Sequence, residues 1–404
     1  METPINPTKL INAEIEMIRS QTKACQHIIH FNNAGASLPA DEVTKTVIDY
    51  LLEEAACGGY ETEAKYIDQI NKTYDLIAQL IGAGKDEVAI FENASAAWGT
   101  AFKGLKFEKG DEIVTCEMEY VTNLIGFVDI QKSAGVVVKV IPNDSDGNIS
   151  LAELEKAISD RTKLIAVTHI ASSGGAIAPV VAIGKIAKKH NVLYMVDACQ
   201  SAGHLPLDVE EIQCDILSAT GRKYMRAPRG TGFLYVRKLV QDRITPMLLD
   251  FQAAGNVSLT DYTLRNDARR YELYEKNRAL VLGLGKAIQY MLSIGLDRIW
   301  ERISDLATFA RFELSKLDGV VLHDAGKSKS GIVTFSIKGM DSAVVKAKLA
   351  EFGINVSIGG QQATPIYMEN QHLFSVVRAS LHYYNTEEEI STMIERLGQI
   401  ILEN

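Results

Sequence analysis

The chain has 404 residues, of which 47% are hydrophobic and 23% are charged, a composition typical of a globular protein with a large buried core. Its formal net charge of −9 argues against a nucleic-acid-binding surface, which usually carries a basic excess. No apolar run approaches the roughly eighteen residues that a membrane-spanning helix needs, so we expect no membrane partner. The length allows one large domain plus a smaller one.

The cysteines and the N-terminus bear on the cellular compartment. The five cysteines are widely spread, form no CxxC pair and are odd in number, and none follows Cys214. The first residues lack the basic and apolar regions of a secretory signal. We therefore expect reduced thiols in a cytoplasmic protein.

The first half of the chain alternates between helical and strand patterns. Residues 1–20 have the pattern of an amphipathic helix or arm. Apolar residues at helical spacing predict a helix over 62–81, preceded by a loop at 57–60. Strands are predicted at 136–141 and 163–169, with a helix between them. Strands that alternate with helices indicate a mostly parallel, doubly wound sheet.

Two turn regions in this half could carry function. The turn-rich stretch from Phe31 to Pro39 precedes a helix, and its simplest role is to cap that helix, with Ser37 near the start. Between Glu87 and Phe102, a predicted short strand is followed by small residues and then by an amphipathic helix. Small residues at such a turn let backbone N–H groups close on an anion. An ordinary N-cap by Asn93 or Ser95 is the alternative, and the two roles are compatible.

A carboxylate and a lysine stand at the ends of two later strands. The apolar run from Val192 to Val196 ends in Asp197, the position at which doubly wound sheets carry their chemistry. Lys223 lies on a turn between two apolar strands, where an amine is fixed and partly desolvated, so that its pKa can fall. Such a lysine suits a Schiff base, although lysines at strand ends are mostly without function.

Together these two residues indicate a cofactor. Pyridoxal 5'-phosphate needs a lysine for its aldehyde carbon and an acid for its ring nitrogen, and Asp197 followed by Lys223 meets both needs. The acid keeps the ring nitrogen protonated, so that the ring can accept electrons from the substrate's α-carbon. We therefore predict a pyridoxal-phosphate enzyme.

The C-terminal part reads as a smaller α+β domain. The polar, arginine-rich stretch 250–270 marks the crossover between domains, and long helices follow with short strands at 331–337 and 355–358. A further strand, Ser375 to Leu381, has Arg378 in its apolar middle. A buried arginine must meet a carboxylate or many acceptors, and an internal ion pair is one way to meet that need.

These motifs, in this order, resemble the class V aminotransferase and cysteine desulfurase-like family, of pyridoxal-phosphate fold type I. The resemblance runs from about Phe31 to the C-terminus. It implies an α/β fold, with a large domain built on a mostly parallel doubly wound sheet and a smaller α+β C-terminal domain. We expect the large domain to span 21–262 and the small domain to combine 1–20 with 263–404. The resemblance also implies a small amino-acid substrate and a homodimer.

The resemblance carries roles over to individual residues. It implies that Lys223 and Asp197 are catalytic, and that Asn33 and Arg378 contact the substrate. In the family, Ser95, Thr220 and Arg222 match positions near the phosphate, Tyr120 matches a residue that stacks on the ring, and Ser172 and Gln200 match contacts to the phenolic oxygen. The implied cofactor-binding set is Ala94, Ser95, Ala96, Tyr120, Ser172, Asp197, Gln200, Thr220, Arg222 and Lys223.

Several positions depart from the desulfurase pattern. Tyr120 and Ser172 stand where many desulfurases have His and Asn, and Arg222 replaces the commoner His before the lysine. Desulfurases extract sulfur with a cysteine on a small-domain loop, yet residues 320–374 contain no cysteine. The family often has a Gly-Thr that reaches the neighbouring subunit's phosphate, and here the place reads Tyr274-Glu275. The chain is more similar to the ergothioneine-type C–S lyase and isopenicillin N epimerase-like subgroup.

The favoured function is therefore C–S lyase-like β-elimination on a small α-amino acid. Aminotransferase or epimerase activity stays open, because the same core chemistry leads to each. A retired, non-catalytic scaffold is the alternative from another class. No zinc motif of the H-E-x-x-H kind occurs, so we expect no metal site.

Overall fold

A computed structural model describes residues 9–403; Met1 to Thr8 of the predicted N-terminal arm and Asn404 lie outside this range. Within the described range the chain forms both helices and strands along its whole length. The helices are α1 Asn12–Ser20, α2 Asp41–Cys57, α3 Gly59–Ile81, α4 Ala94–Gly104, α5 Val121–Ala134, α6 Leu151–Ala157, α7 Val180–Lys189, α8 Val209–Ile212, α9 Arg278–Ile294, α10 Leu296–Leu314, α11 Ser342–Glu351, α12 Pro365–Asn370 and α13 Glu387–Leu402. The strands are β1 Ile29–His30, β2 Val88–Phe91, β3 Glu112–Cys116, β4 Val137–Ile141, β5 Thr162–Thr168, β6 Leu193–Asp197, β7 Ile216–Thr220, β8 Gly232–Val236, β9 Ala254–Gly255, β10 Thr263–Leu264, β11 Val320–Leu322, β12 Ile332–Ile337, β13 Ile354–Asn355, β14 Ser357–Gly360 and β15 Ser375–Ser380.

The centre of the molecule is a seven-stranded sheet in the order β2-β8-β7-β6-β5-β3-β4. Strands β7, β6, β5, β3 and β4 are mutually parallel, and β8 pairs antiparallel with both of its neighbours. The expected mostly parallel sheet and α/β fold are therefore confirmed. Because parallel strands end at one edge, the residues after β3, β5, β6 and β7 meet there.

Both faces of this sheet are apolar and covered. Along β6, Leu193 and Met195 pack into one core cluster, whereas Tyr194 and Val196 pack into another on the opposite face. Side chains of a strand alternate between faces, so a continuous apolar run requires helices on both sides. This explains why the buried strands of the chain read as uninterrupted hydrophobic segments.

A second, antiparallel sheet in the order β11-β12-β15-β14 builds the smaller unit with its own core cluster. Part of the N-terminal region joins it, because β1 pairs in parallel with β13 and Asn32 bridges to Ser380. Helix α9 packs against α2 and α3, on the large-sheet side of the molecule. The predicted domain boundaries, 21–262 against 1–20 with 263–404, stay a prediction.

Two local predictions are wrong. The predicted loop at 57–60 is a single residue, because α2 ends at Cys57 and α3 begins at Gly59. Gly58, at φ 98°, turns the chain between them in a conformation that side chains disfavour. Ser37 does not cap the next helix, since α2 begins only at Asp41, with Ala40 as its N-cap. The C-terminal helix α13 is capped by Thr386, which accepts from Glu389 N.

Within residues 9–403 no single helix is long and apolar enough to cross a membrane. Helices α9 and α10 meet the length and composition criteria only when taken together, and they are bent by 79° at the break between them.

Candidate active site

A cavity of about 250 Å³ opens at the carboxyl edge of the large sheet. All the residues that line it fall between positions 92 and 230, at the ends of strands of this sheet or on the segments that follow them. The lining residues are Glu92, Asn93, Ala94, Ser95, Tyr120, Thr168, Ile170, Ser172, Asp197, Cys199, Gln200, Thr220, Arg222, Lys223, Arg229 and Gly230. Nine of the ten predicted cofactor-binding residues are among them.

Lys223 follows β7 and extends into this cavity. The residue is only 8% exposed. Burial lowers the pKa of its amine from the ordinary 10.5 to about 8, because a charged ammonium loses hydration there. Its Nζ lies 5.9 Å from the centroid of the Tyr120 ring. The side chain can therefore supply a neutral amine near physiological pH at a fixed place in the site.

Asp197 ends β6 with its carboxylate held on both sides. Its Oδ2 accepts a hydrogen bond from Asn123 Nδ2 at 2.9 Å, and its Oδ1 accepts one from the backbone N–H of Cys199 at 2.8 Å. Donors to both oxygens fix the plane of the group. The carboxylate thus stands ready to pair with a cation in the cavity.

The start of α4 forms another wall of the cavity. Asn93 Oδ1 caps the helix by accepting from Ala96 N at 2.8 Å. Ala94 and Ser95 are at the first turn, where N–H groups have no acceptor within the helix, and both residues line the cavity. Such a helix start favours an anion such as phosphate. Ala96 itself contacts a neighbouring cavity, so the structure does not bring this predicted residue into the site.

Gly232 lets this helix approach the sheet closely. A Cβ at this position would lie 2.7 Å from Ala219 O and 2.9 Å from the backbone carbon of Asn93. No side chain fits in that space. The glycine therefore sets the distance between the start of α4 and the turn that carries Lys223.

Two buried polar atoms at the site have no partner within the described residues, namely Ser172 Oγ and Gln200 Oε1. Gln200 Nε2 donates to Ala34 O at 3.1 Å, and Arg222 Nη1 donates to Gly35 O at 3.1 Å. A buried polar atom without a partner costs free energy, so these atoms call for a ligand. With the buried amine, the carboxylate and the helix start, they fit pyridoxal phosphate.

Thr220, at the end of β7, is buried beside Arg222 and Lys223. Its hydroxyl is 3.5 Å from Thr231 O, a long contact that leaves it able to turn toward a ligand.

Arg378 lies on β15 of the small sheet and contacts the backbone of Ser172, a residue that lines the cavity. Its Nε donates to Ser357 Oγ at 2.9 Å and its Nη1 donates to Ser172 O at 3.0 Å. Burial lowers its pKa. Among residues 9–403 no carboxylate pairs with it, so the internal ion pair that the sequence left open is wrong.

Asn33 is fully buried and lies outside the cavity lining. Its Nδ2 donates to Ser380 O at 2.7 Å and to His30 O at 3.2 Å, and its Oδ1 accepts from the hydroxyl of Tyr384. These bonds join the N-terminal turn to the small domain. The predicted substrate contact of Asn33 therefore has no support in this geometry.

Sequence reasoning missed several residues of the site. Thr168, Cys199 and Arg229 line the cavity, and Asn123 holds Asp197 from outside it. Thr168 and Cys199 could have been found, because each stands at or just after the end of a parallel strand. Asn123 gave no such signal, since its contact with Asp197 joins residues 74 positions apart.

Arg226, three residues after Lys223, ties this turn to both ends of the chain. It is buried with a left-handed backbone at φ 57°. Its guanidinium donates to Leu38 O, to the Tyr383 hydroxyl and to the Thr22 hydroxyl, at 2.6–2.8 Å. The rings of Tyr383 and Tyr384 lie 5.2 and 4.7 Å from it. We infer that this contact fixes the lysine turn against the small domain.

No group of three or more His, Cys, Asp or Glu side chains that could hold a metal ion occurs in the part of the chain that the structure describes.

Comparison with known proteins gives a consistent result. The family model for aminotransferase class-V matches residues 29–393. The chain is 31% identical over 397 residues to a probable cysteine desulfurase of Methanothermobacter thermautotrophicus, which covers 97% of this chain and 99% of that relative. The solved apo structure of a cysteine desulfurase from Thermococcus onnurineus NA1 has a TM-score of 0.91 at 29% identity, covering 96% of this chain and 98% of that one.

A cystine C–S lyase, solved in complex with its reaction product cysteine persulfide, is similar in fold. Its TM-score is 0.85 at 21% identity, over 94% of this chain and 99% of that one. At this identity the likeness concerns the fold alone.

Proposed function

The chain belongs to the aminotransferase class V family of pyridoxal-phosphate enzymes, and within that family we propose that it cleaves a carbon–sulfur bond of a small α-amino acid by β-elimination. The products are a thiol or persulfide, ammonia and a keto acid. The prediction of a pyridoxal-phosphate enzyme of this family is confirmed by the match over residues 29–393.

The observation that carries the proposal is the loop between β14 and α12. This loop contacts the start of α5 beside Tyr120, where Val121 N donates to Ala363 O at 2.9 Å. Its exposed residues are Gln361 and Gln362, and no cysteine follows Cys214 in the sequence. A desulfurase of the kind described above needs a thiol on such a loop to accept sulfur. Without such a thiol, the sulfur would leave the substrate as part of the released thiol or persulfide.

The roles of the large-domain residues follow from their positions. When bound, pyridoxal phosphate supplies an aldehyde that holds the substrate's amine and a ring that accepts electrons from the α-carbon. We assign Lys223 to hold the cofactor and to remove the α-proton as general base, because its amine is neutral above about pH 8. Asp197 would hold the proton on the ring nitrogen. Tyr120 would pack on the face of the ring.

The remaining contacts divide between phosphate and substrate. The N–H groups of Ala94 and Ser95, together with Thr220 and Arg222, would hold the phosphate. Arg378 would bind the substrate's carboxylate bidentately, because its buried guanidinium has no acid partner within the described chain. Ser172 and Gln200 would complete the set with contacts to the cofactor's phenolic oxygen.

The proposal is tested by assaying pyruvate and thiol release against amino-group transfer. The panel combines cysteine, cystine and S-substituted cysteines with several keto acids as amino acceptors. We expect keto-acid release from sulfur-bearing substrates without added acceptor. Amino transfer to keto acids without release of pyruvate would make the protein an aminotransferase, and inversion at the α-carbon alone would make it an epimerase.

We also propose a homodimer. The segment that follows the large sheet exposes several large apolar side chains next to a second cavity of about 520 Å³. These side chains are Met247, Leu248, Phe251, Val257 and Leu259. Met247 and Leu248 line that cavity, and large apolar side chains exposed together in one segment are typical of an interface. Light scattering on the purified protein should give about twice the 44.4 kDa chain mass. The cytoplasmic location stays a prediction.

A further inference from the structure

A second carboxylate lies buried beside the cavity with no role assigned so far. Glu119 stands between β3 and α5 and is only 2% exposed. Its Oε1 accepts hydrogen bonds from Thr168 Oγ1 at 2.6 Å, from Asn123 Nδ2 at 2.8 Å and from Tyr120 N at 2.8 Å. Its Oε2 accepts from Thr115 Oγ1 at 3.1 Å. These four hydrogen bonds give the buried carboxylate a polar environment that can accommodate a charge.

Asn123 connects this carboxylate to Asp197. The same Nδ2 that donates to Glu119 also donates to Asp197 Oδ2 at 2.9 Å. One amide nitrogen carries two hydrogens, so each carboxylate receives one of them. Because carboxylates only accept, this arrangement also fixes the orientation of the amide. Glu119, Asn123 and Asp197 thus form one buried chain that ends at the cavity.

We propose that Glu119, acting through Asn123, is a positioning residue that sets how firmly Asp197 holds the proton on the cofactor's ring nitrogen. The inference rests on the proposed role of Asp197 and not on which bond of the substrate is broken. Because Asn123 joins Glu119 to Asp197, a negative charge on Glu119 acts more strongly on that carboxylate than on a ring nitrogen in the cavity, and it draws the shared proton toward the carboxylate. When Glu119 is neutral, the proton is held more firmly on the ring nitrogen.

Among the described titratable groups around Glu119, Lys223 also titrates near neutral pH, but in the holoenzyme we assign its amine to hold the cofactor. Cys116 on β3 is kept a neutral thiol by burial, which raises its pKa. His169, after Thr168 on β5, is kept neutral because burial lowers its pKa to about 4. Beyond Asp197 lie Cys199, whose pKa is raised by burial, and Lys223. Burial, reinforced by the charge of Asp197, raises the pKa of Glu119 to about 7.

The resulting pH effect depends on Glu119. As the pH rises through about 7, Glu119 loses its proton and the network gains a negative charge. The proton between Asp197 and the ring nitrogen is then drawn toward Asp197. A variant whose residue 119 cannot ionise should show no such change near pH 7.

The test uses holoenzyme reconstituted with pyridoxal phosphate labelled with ¹⁵N in the ring. The ¹⁵N chemical shift is measured between pH 6 and 8.5 for the wild type, E119Q and E117Q. The amide introduced by E119Q can keep the three donors on its oxygen and donate from its nitrogen to the Thr115 hydroxyl, so the variant preserves the packing. Glu117 is the matched control, because it lies two residues away and bonds only to the exposed Asn370.

We expect a step in the wild-type shift near pH 7, toward the unprotonated value as the pH rises. E119Q should show no step and should lie nearer the protonated value at pH 8, whereas E117Q should behave like the wild type. An unchanged step in E119Q overturns the proposal. If E119Q does not accumulate as holoenzyme, the wild type alone decides, since no step between pH 6 and 8.5 also overturns it.

D197N separates the proposal from its premise. If Asp197 is the ring-nitrogen partner, the ¹⁵N shift of this variant should lie near the unprotonated value over the whole pH range. A wild-type shift in D197N would remove the premise and the inference with it, while leaving the proposed carbon–sulfur cleavage to the product assay.

Discussion

The two sheets contribute to the site in different ways. Every residue that lines the cavity comes from positions 92–230, at the ends of strands of the large sheet or on the segments that follow them. The small sheet contributes Arg378, which reaches the cavity only through its bond to Ser172 O. The difference suggests a division of labour, in which the large domain holds the cofactor and the small domain recognises the substrate. Variants in the two regions should therefore fail in different ways.

The largest effect should come from Lys223→Ala. Without the amine the cofactor has no covalent anchor and the α-proton no base, so we expect turnover to fall by at least about 10³-fold. Circular dichroism should show an unchanged fold, and Lys185→Ala, at an exposed position of α7, serves as the control. Substantial residual activity would overturn the assignment of the base.

The pH dependence of cofactor attachment tests the same region. Burial lowers the pKa of Lys223 to about 8, and only the neutral amine attacks the aldehyde. The rate at which the apoprotein takes up pyridoxal phosphate should rise about tenfold per pH unit below 8 and level off above it. Stopped-flow absorbance measures this rate. A rate that keeps rising toward pH 10 would indicate a solvated lysine.

Arg378→Lys should affect the small-domain function alone. Lysine keeps the charge but loses the planar fork, so we expect KM for the amino acid to rise about 10–100-fold with the cofactor's visible spectrum unchanged. Arg396→Lys, on the surface of α13, is the control. Loss of the cofactor in the Arg378 variant would contradict the division of labour, because it would place the arginine in the cofactor's site.

The smallest effect should come from Tyr120. An aromatic pair contributes about 0.5–1.5 kcal/mol beyond its buried area, so Tyr120→Ala should weaken cofactor binding roughly 2–10-fold. Tyr120→Phe keeps the ring and should bind the cofactor as the wild type does. Equal weakening in both variants, measured by fluorescence titration of the apoprotein, would show that the hydroxyl matters rather than the stacking.

The positions of the site residues in the fold explain which of them could be predicted from the sequence. Asp197 and Lys223 were predictable because each stands at or after the end of an apolar strand, and the ends of parallel strands meet at one edge. Thr220 was predicted only through the family resemblance. The role of Asn123 was hidden, since its contact with Asp197 depends on how α5 lies against β6. The substrate contact of Asn33, which the resemblance implied, stays a prediction, and in this fold its side chain joins the N-terminal turn to the small domain.

The tie at Arg226 has a consequence for how the protein denatures. The buried guanidinium of Arg226 bonds to the N-terminal segment and to the C-terminal tyrosines, and it lies in the turn that carries Lys223. The interface between the two domains is therefore packed like a protein interior. We therefore expect the two domains to unfold together and not one before the other. Scanning calorimetry of the wild type should record a single unfolding endotherm for both domains. Arg226→Met removes the hydrogen bonds of the guanidinium and should split that endotherm in two.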